Sequence, residues 1–285
     1  MLNLTLLPVE EKALVAVSGG RDSVALLQRL VAAENISSLE VVHVDHGIRD
    51  ESEEEQRFVS QLAKRYSLVF HALRLDKIPH TETQAREARY THFIRLANQR
   101  GCATVVTAHH REDQLETRIM NLLRGCSPKG LSGIPESRKL AEGISLVRPA
   151  LKVSREWLGE IATEWREDKS NAVEDNVRNR LRLTIIPQLQ SLFPRDVAES
   201  FDSLVELLED DLSALDAFVP EEDILSLHQW ETLPMAIKRR WLRKRAPLER
   251  AQLEKGILAA KEKKSVDLGR GIHLKIADNT LSLRQ

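Results

Sequence analysis

The residues best suited to chemistry form one string near the start of the chain, Ser18-Gly19-Gly20-Arg21-Asp22-Ser23. An apolar run, residues 13–17, precedes the string, and an alanine- and leucine-rich segment, residues 24–33, follows it. That order predicts a strand, a tight glycine turn and the start of a helix. Adjacent glycines let a ligand approach the main chain, and the free N–H groups at a helix start bind anions. Because Asp22 needs a cation beside phosphates, the string predicts a nucleotide site with Mg²⁺.

The string is not a Walker A loop, because no Gly-Lys-Ser/Thr sequence follows it. The alternative interpretation is a glycine turn that only joins a strand to a helix. The six residues taken together favour the phosphate site, whereas two glycines and an aspartate alone would favour the turn.

Two further polar clusters follow apolar runs. Asp45 and Arg49 lie in the segment 43–49, where a carboxylate could bind Mg²⁺ or orient an amine and a guanidinium could bind a carboxylate or phosphate. His109, Asp113 and Glu116 lie in the segment 107–117. A zinc site would need a His-Glu-x-x-His pattern, which is missing, and carboxylate oxygens favour Mg²⁺. An alternative for Asp45 is capping of the next helix.

Pairs of arginines recur later in the chain. Arg86 and Arg89 are three residues apart and share one helix face, a pattern that taken alone is typical of a salt-bridged surface helix. Arg178 and Arg182 belong to the basic cluster 177–182. Such clusters indicate binding of anionic groups, including nucleic acid.

The elements that must position these residues alternate between strand and helix over the first 190 residues or so. Strands are predicted at residues 14–17, 39–44, 68–75 and 103–107. Helices are predicted at residues 23–33, 51–65, 83–99, 112–123, 154–165 and 176–193. This alternation predicts an α/β fold, a parallel sheet with helices on both faces. Ligands bind at the carboxyl ends of the strands in such sheets, where three of the polar clusters fall.

Charge divides the rest of the chain into two regions. Residues 196–223 contain eleven Asp or Glu and no Lys or Arg, and residues 238–264 contain eleven Lys or Arg and three Glu. We therefore predict a catalytic domain over residues 1–195, a long acidic connector helix over 196–218, and a small, mainly helical second domain over 219–285. The basic run of the second domain predicts contacts with nucleic acid, and the alternative is a solvated helix face.

Composition excludes several other classes. Cys102 and Cys126 are the only cysteines, so neither a disulfide framework nor a zinc ribbon is expected. No run approaches the roughly 20 apolar residues that span a bilayer, and the first residues lack the basic start of a signal peptide. We expect a cytoplasmic protein with no membrane partner.

The motifs together resemble one family. The string at residues 18–23 is similar to the SGGxDS signature of the PP-loop ATP pyrophosphatases, and the whole set resembles the tRNA(Ile)-lysidine synthetases within them. The segments that carry this resemblance are SGGRDS (18–23), HVDHGIR (43–49), QAREARY (84–90), TAHHREDQLET (107–117), LLRGCSPKGLSGI (122–134), VRPAL (147–151), EDKSN (167–171) and VRNRLR (177–182). Glu112 and Cys126 depart from the family pattern without losing the carboxylate or the loop. Longer members carry a further C-terminal domain.

The resemblance implies a PP-loop (HUP-like) fold and an activity. ATP would adenylate the C2 oxygen of the wobble cytidine of the tRNA(Ile) with a CAU anticodon, and free L-lysine would then displace AMP. The implied ATP site is residues 18–23, with Asp22 on Mg²⁺. The implied catalytic residues are Asp22, Asp45, His109, Asp113 and Glu116. The general base would be one of Asp45, His109 and Asp113. Lysine or cytidine contacts are implied for Arg49, Arg86, Arg89 and Arg124. tRNA contacts are implied for Arg178, Arg182, Arg240, Arg243 and Lys244.

Three other functions compete with this one. A PP-loop tRNA thiolase would be expected to use more cysteines than two. An RNA-binding protein with an inactive nucleotide site would not need Asp22. A small-molecule amide ligase would need neither the cluster 177–182 nor the basic C-terminal run.

Overall fold

The structure is a computed structural model that describes residues 1–7, 11–33, 38–45, 52–74, 82–166 and 177–284. The chain divides into two compact units, Met1–Asp202 and Ser203–Gln285.

The first unit contains a six-stranded sheet in the order β3-β2-β1-β4-β6-β5. Its strands are β1 (Lys12–Ala16), β2 (Ser38–Asp45), β3 (Val69–Arg74), β4 (Cys102–Val106), β5 (Ser137–Ala141) and β6 (Ile144–Val147). Neighbouring strands are parallel except β5, which runs antiparallel to β6. The four strands predicted from the sequence are thus confirmed as β1 to β4.

Helices connect these strands and follow them. They are α1 (Arg21–Val31), α2 (Ser52–Arg65), α3 (Glu82–Arg100), α4 (Arg111–Leu123), α5 (Arg155–Gly159), α6 (Val177–Arg180) and α7 (Ile186–Leu192). A π-helical turn, Leu181–Ile185, joins α6 to α7. The ring of Pro187 would meet the carbonyl of Leu183 in a regular α-helix, and the wider turn avoids that contact.

The core shows that both faces of the sheet are covered. Alternate residues of a strand point to opposite faces. Val15 and Val41 pack in one cluster with Phe58 and Leu62 of α2 and with residues of α1. Leu14, Val42 and Val105 pack in a second cluster with Phe93, Leu96 and Ala97 of α3. The expected α/β class is confirmed.

One local expectation was wrong, and one hairpin was not predicted. The hairpin β5–β6 follows the glycine- and proline-rich residues 125–135, and its tight turn is made by Gly143 at φ +69°. The helix expected at residues 154–165 ends at Gly159. The chain then leaves the helical path, and the Arg166 N–H donates to the Gly19 carbonyl oxygen at 2.9 Å. That hydrogen bond fastens the segment to the loop before α1.

A long helix, α8 (Val197–Ala217), spans the division between the units. Its first turn is capped by Asp196, whose Oδ1 accepts from the Ala198 and Glu199 N–H groups at 2.7 and 3.1 Å. This explains why the acidic segment begins as a helix there. The role of residues 196–218 as a connector stays a prediction.

The second unit combines helices with a small antiparallel sheet in the order β7-β10-β9-β8. Its elements are β7 (Ile224–Ser226), α9 (Leu227–Thr232), α10 (Met235–Arg245), α11 (Arg250–Lys261), β8 (Val266–Gly269), β9 (Ile272–Ala277) and β10 (Thr280–Arg284). Trp230 and Trp241 meet edge-on in its core, with ring centroids 5.9 Å apart. Trp241 is fully buried, so it packs in the core as part of the helix that carries the basic residues.

Candidate functional site

The loop between β1 and α1 is held by the two serines of the first motif. Ser23 Oγ accepts from the Ser18 N–H at 3.1 Å and donates to the Gly20 carbonyl at 2.9 Å. Gly19 has φ +93°, a conformation that favours glycine. The loop therefore leads directly into the first turn of α1, where free N–H groups and the helix dipole favour an anion.

This loop opens into a cavity of about 480 Å³ at the carboxyl ends of β1 and β2 and beside the residues that follow β4. The predicted residues that line it are Ser18, Asp22, Ser23, Arg86, Arg89, His109, Asp113 and Arg178. Tyr90, Phe93 and Thr107 complete much of the wall. Residues predicted from four separate motifs thus meet in one cavity.

Asp22 is held by two cationic side chains. Arg155 Nε lies 3.1 and 3.2 Å from its two carboxylate oxygens, and His110 Nε2 lies 3.6 Å from Oδ2. Burial alone would raise the pKa of Asp22, but the contacts with His110 and Arg155 outweigh burial and lower it. Asp22 therefore carries its negative charge at the mouth of the anion-binding loop.

His110 links three carboxylates. Its Nε2 lies 3.3 Å from Asp113 Oδ2 as well as near Asp22, and its Nδ1 lies 2.9 Å from Glu112 Oε2. Burial alone would lower the pKa of His110, but these carboxylates raise it to about 9. His110 is 2% exposed, so a buried imidazolium holds the loop and the start of α4 together.

The preceding residue, His109, is neutral. Burial lowers the pKa of His109 to about 4, and the nearby arginines add to that effect against the carboxylate of Asp113. Its Nδ1 lies 3.0 Å from Thr107 Oγ1. A neutral imidazole at the cavity and a charged imidazole behind it give the site one proton acceptor and one fixed cation.

Asp113 and Glu116 are bound by the arginines predicted for tRNA. Arg182 donates to both, with Nη2 2.8 Å from Asp113 Oδ1 and Nε 2.6 Å from Glu116 Oε1. Arg178 Nε lies 3.1 Å from Glu116 Oε2, and its Nη2 donates to Thr117 Oγ1 at 2.9 Å. Glu116 is fully buried. These contacts fix α6 and the π-helical turn on α4.

Three arginines surround Tyr90, which also lines the cavity. The guanidinium carbons of Arg86 and Arg138 lie 5.6 and 4.5 Å from its ring centroid. Arg148 is fully buried, and its Nη1 donates to the Pro135 carbonyl at 2.6 Å. Burial alone would raise the pKa of Tyr90, but the arginines outweigh burial and lower it. This side of the cavity is therefore strongly positive.

The other predicted residues lie elsewhere. Asp45 ends β2 and is not among the lining residues, Arg124 is exposed after α4, and the Arg21 side chain packs against Gly159 and Trp165. Arg49 and the segment 167–171 lie outside the described residues.

In the second unit, two of the three predicted tRNA contacts are in ion pairs. Arg240 Nε lies 2.8 Å from Asp216 Oδ1, and Lys244 Nζ lies 2.7 Å from Glu221 Oε1. Arg243 is exposed in the last turn of α10.

Three residues of the site escaped the sequence prediction: His110, Glu112 and Arg155. His110 and Glu112 stand inside a recognised motif, so their position was a signal, but their roles depend on which way each side chain points. Arg155 lies 133 positions from the carboxylate that it contacts, and a lone arginine after a serine carries no local signal.

Within the described ranges, no group of three or more His, Cys, Asp or Glu side chains is arranged to hold a metal ion. Mg²⁺, however, is commonly bound through one or two carboxylates, with waters and substrate phosphates completing its shell. Asp22 and Asp113 both line the cavity, so the donor set fits Mg²⁺ brought in with a nucleotide. In the same parts of the chain, no helix has the length and apolar character needed to cross a membrane.

The parallel sheet, the glycine loop and the cavity at its strand ends define a PP-loop domain, and the PP-loop domain family matches residues 3–189. The chain is 36% identical to the tRNA(Ile)-lysidine synthase of Thermosynechococcus vestitus over 253 residues, covering 82% of this chain and 72% of the relative. This chain belongs to the tRNA(Ile)-lysidine synthase family, a family of ligases.

Other comparisons agree with this assignment. The tRNA(Ile)-lysidine synthase of a Synechococcus strain is 34% identical, covering 84% of this chain and 77% of the relative. That of Streptococcus agalactiae is 36% identical, and the match covers 73% of this chain but 48% of the longer relative. Among solved structures, the U34-tRNA thiolase NcsA from Methanococcus maripaludis has a TM-score of 0.57 at 17% identity, covering 71% of this chain and 74% of that one. This last likeness concerns the fold alone.

Proposed function

We propose that this chain ligates L-lysine to C2 of the wobble cytidine of the tRNA(Ile) with a CAU anticodon, using ATP and releasing AMP and pyrophosphate. The observation that carries the proposal is the single cavity that joins an anion-binding loop bearing Asp22 to a wall of arginines and a neutral histidine. Membership of the tRNA(Ile)-lysidine synthase family supports the choice of tRNA and amino acid.

The first step would activate the base. The C2 oxygen attacks the α-phosphorus of ATP, the bond to the β-phosphate oxygen breaks, and pyrophosphate leaves. Catalysis of such a transfer depends on positioning and on neutralising charge. The N–H groups at the start of α1 and the hydroxyls of Ser18 and Ser23 are suited to bind phosphate oxygens. Asp22, with Asp113 as a second candidate ligand, would hold Mg²⁺, which supplies charge neutralisation for the phosphates.

The second step would replace the activated oxygen. The ε-amine of lysine attacks C2, the C2–O bond breaks, and the oxygen leaves with AMP. The attacking nitrogen must lose a proton, and it becomes strongly acidic once its bond to C2 has formed. An acceptor with a low pKa suffices at that stage, which suits His109, the neutral side chain at the cavity.

The arginine wall would select the amino acid by its carboxylate. Arg86, Arg89 and Arg178 line the cavity, and guanidinium groups bind carboxylates through paired hydrogen bonds. In this proposal Glu116 is a positioning residue, because its buried carboxylate binds Arg178 and Arg182. The second unit would hold the body of the tRNA through α10.

The test is incubation of unmodified CAU-anticodon tRNA(Ile) with ATP, Mg²⁺ and labelled lysine, followed by mass analysis of the nucleosides. We expect one lysine incorporated per tRNA, with equal amounts of AMP and pyrophosphate. The CAU-anticodon tRNA(Met) and labelled arginine serve as controls and should give no product. Incorporation of sulfur from a sulfide donor in place of lysine would establish a thiolase and reject the proposal.

A further inference from the structure

We infer that Arg155 is a further phosphate ligand of the site: its guanidinium binds the β- and γ-phosphate oxygens of ATP and holds the pyrophosphate that leaves. The inference deepens the proposed function and rests on it for the identity of the reaction. It assigns a direct substrate contact to a residue that lies outside the glycine loop.

The position of Arg155 supports this role. Its Nε lies 3.1 and 3.2 Å from the two oxygens of Asp22, and Asp22 stands in the first turn of α1, where the helix dipole favours an anion. Arg155 does not line the cavity itself, but its guanidinium is bound to Asp22, which does. The side chain is 43% exposed, so a nucleotide can reach it.

The orientation of the guanidinium leaves its outer edge available. Arg155 uses Nε for Asp22, and no residue in the described part of the chain accepts a hydrogen bond from Nη1 or Nη2. These two groups provide four N–H donors in a planar fork, the arrangement that matches phosphate oxygens.

The backbone of Arg155 is held by Glu112, a residue of the site. Its N–H donates to Glu112 Oε2 at 2.9 Å, and the same oxygen lies 2.9 Å from His110 Nδ1. The buried imidazolium thus positions Arg155 through one carboxylate while it contacts Asp22 itself. Through these contacts Glu112 positions the Arg155 cation beside the phosphate loop.

The other arginines near α1 are committed to packing. The Arg21 guanidinium lies against Gly159, where any Cβ would collide with it. The Arg29 guanidinium stacks on Trp157, with its carbon 3.5 Å from the ring centroid, and donates to the carbonyls of residues 157 and 158. Arg29 therefore provides a matched control, because it joins the same two helices without reaching Asp22.

The test measures the binding of inorganic pyrophosphate to the full chain by calorimetry, without tRNA or lysine and with a chelator to remove metal. We expect Arg155→Gln to weaken pyrophosphate about tenfold or more, the usual effect of losing a charge-assisted contact. Arg155→Lys should retain part of the affinity, and Arg29→Gln should bind like the wild type. Asp22→Asn should bind at least as tightly as the wild type, because a competing carboxylate is gone.

Four results would overturn the inference. The first is a wild-type affinity for pyrophosphate in Arg155→Gln, and the second is an equal loss of affinity in Arg155→Gln and Arg29→Gln. The third is a loss of affinity in Asp22→Asn as large as that in Arg155→Gln. The fourth is no binding by the wild type at millimolar pyrophosphate without metal. The third would mean that Arg155 acts only by orienting Asp22. Because the assay needs no tRNA, pyrophosphate binding that depends on Arg155 in a chain that makes no lysidine would reject the proposed function alone.

Discussion

The helices α4 and α10 both carry ion pairs between arginine or lysine and carboxylates. Those at α4 are more buried, and those at α10 are more exposed. Glu116 is 1% exposed and binds two arginines, whereas the Lys244–Glu221 pair is 49% and 82% exposed. Buried charges have few alternative partners and keep fixed positions, and exposed charges exchange partners with water and ions. The comparison shows that the charges around α4 are held in fixed positions, whereas those of α10 are more exposed, as the contact with tRNA in the proposed function would require.

The largest effect is expected from removing the Asp22 carboxylate at the phosphate loop. Asp22→Asn should lower tRNA- and ATP-dependent pyrophosphate release by at least about 100-fold, because charge placed at the reacting phosphates is a large contribution to catalysis. Asp210→Asn, an equal change on the exposed face of α8, should release pyrophosphate at the wild-type rate. A near-normal rate for Asp22→Asn in Mg²⁺ would remove its catalytic role.

The second change tests whether the buried network carries stability. Arg182→Ala leaves the carboxylates of Asp113 and Glu116 short of a partner and should reduce the free energy of unfolding of the first unit by about 3 kcal/mol. Lys244→Ala breaks an exposed pair and should leave stability close to the wild-type value. Denaturant titration checks both, and equal effects would contradict the contrast between the regions.

The third test uses pH. The folded-state pKa of His110, about 9, lies above its ordinary value of 6.5. The stability that this shift contributes, up to about 3 kcal/mol, is therefore fully present below pH 6.5 and is lost as pH rises through about 9. In metal-free buffer the wild type should lose stability over that range more steeply than His110→Asn. Parallel curves for the two proteins would show that His110 is not a buried cation.

The smallest expected effect concerns α10. Replacing Arg240, Arg243 and Lys244 with Glu should weaken tRNA binding about tenfold and reduce the slope of log affinity against log salt by up to about 3, since each phosphate contact releases counterions. ATP affinity should not change. Reversal of Arg57, Lys64 and Lys139, exposed on the first unit, is the control. A triple variant with wild-type affinity and slope would make α10 a solvated face.

Much of this arrangement follows from local sequence. The alternation of apolar runs and helical patterns predicted β1 to β4. The rule that ligands bind at strand ends predicted one site for the clusters that begin at residues 18, 45 and 109, and residues of the first and third line the cavity, whereas Asp45 does not. What failed depends on distant partners. The helix predicted at residues 154–165 ends at Gly159, where the Arg21 side chain packs. The hairpin β5–β6 was not predicted from the local sequence.

The site residues divide in the same way. Asp22, His109 and Asp113 were predicted because each stands in a motif at the end of a strand. Arg155 was not, since its role arises only when α5 folds back onto α1. The pairing of Arg182 with Asp113 likewise joins residues 69 positions apart, and no local pattern encodes which arginine meets which carboxylate.

The most direct test of the central claim is a single-turnover measurement at saturating tRNA, ATP and lysine. If the cavity performs the chemistry and α10 only holds the tRNA, the triple α10 variant should form lysidine within about twofold of the wild-type rate once tRNA saturates. Asp22→Asn should remain slow at any tRNA concentration. A triple variant that stays as slow as Asp22→Asn at saturation would contradict the division of labour between the two regions.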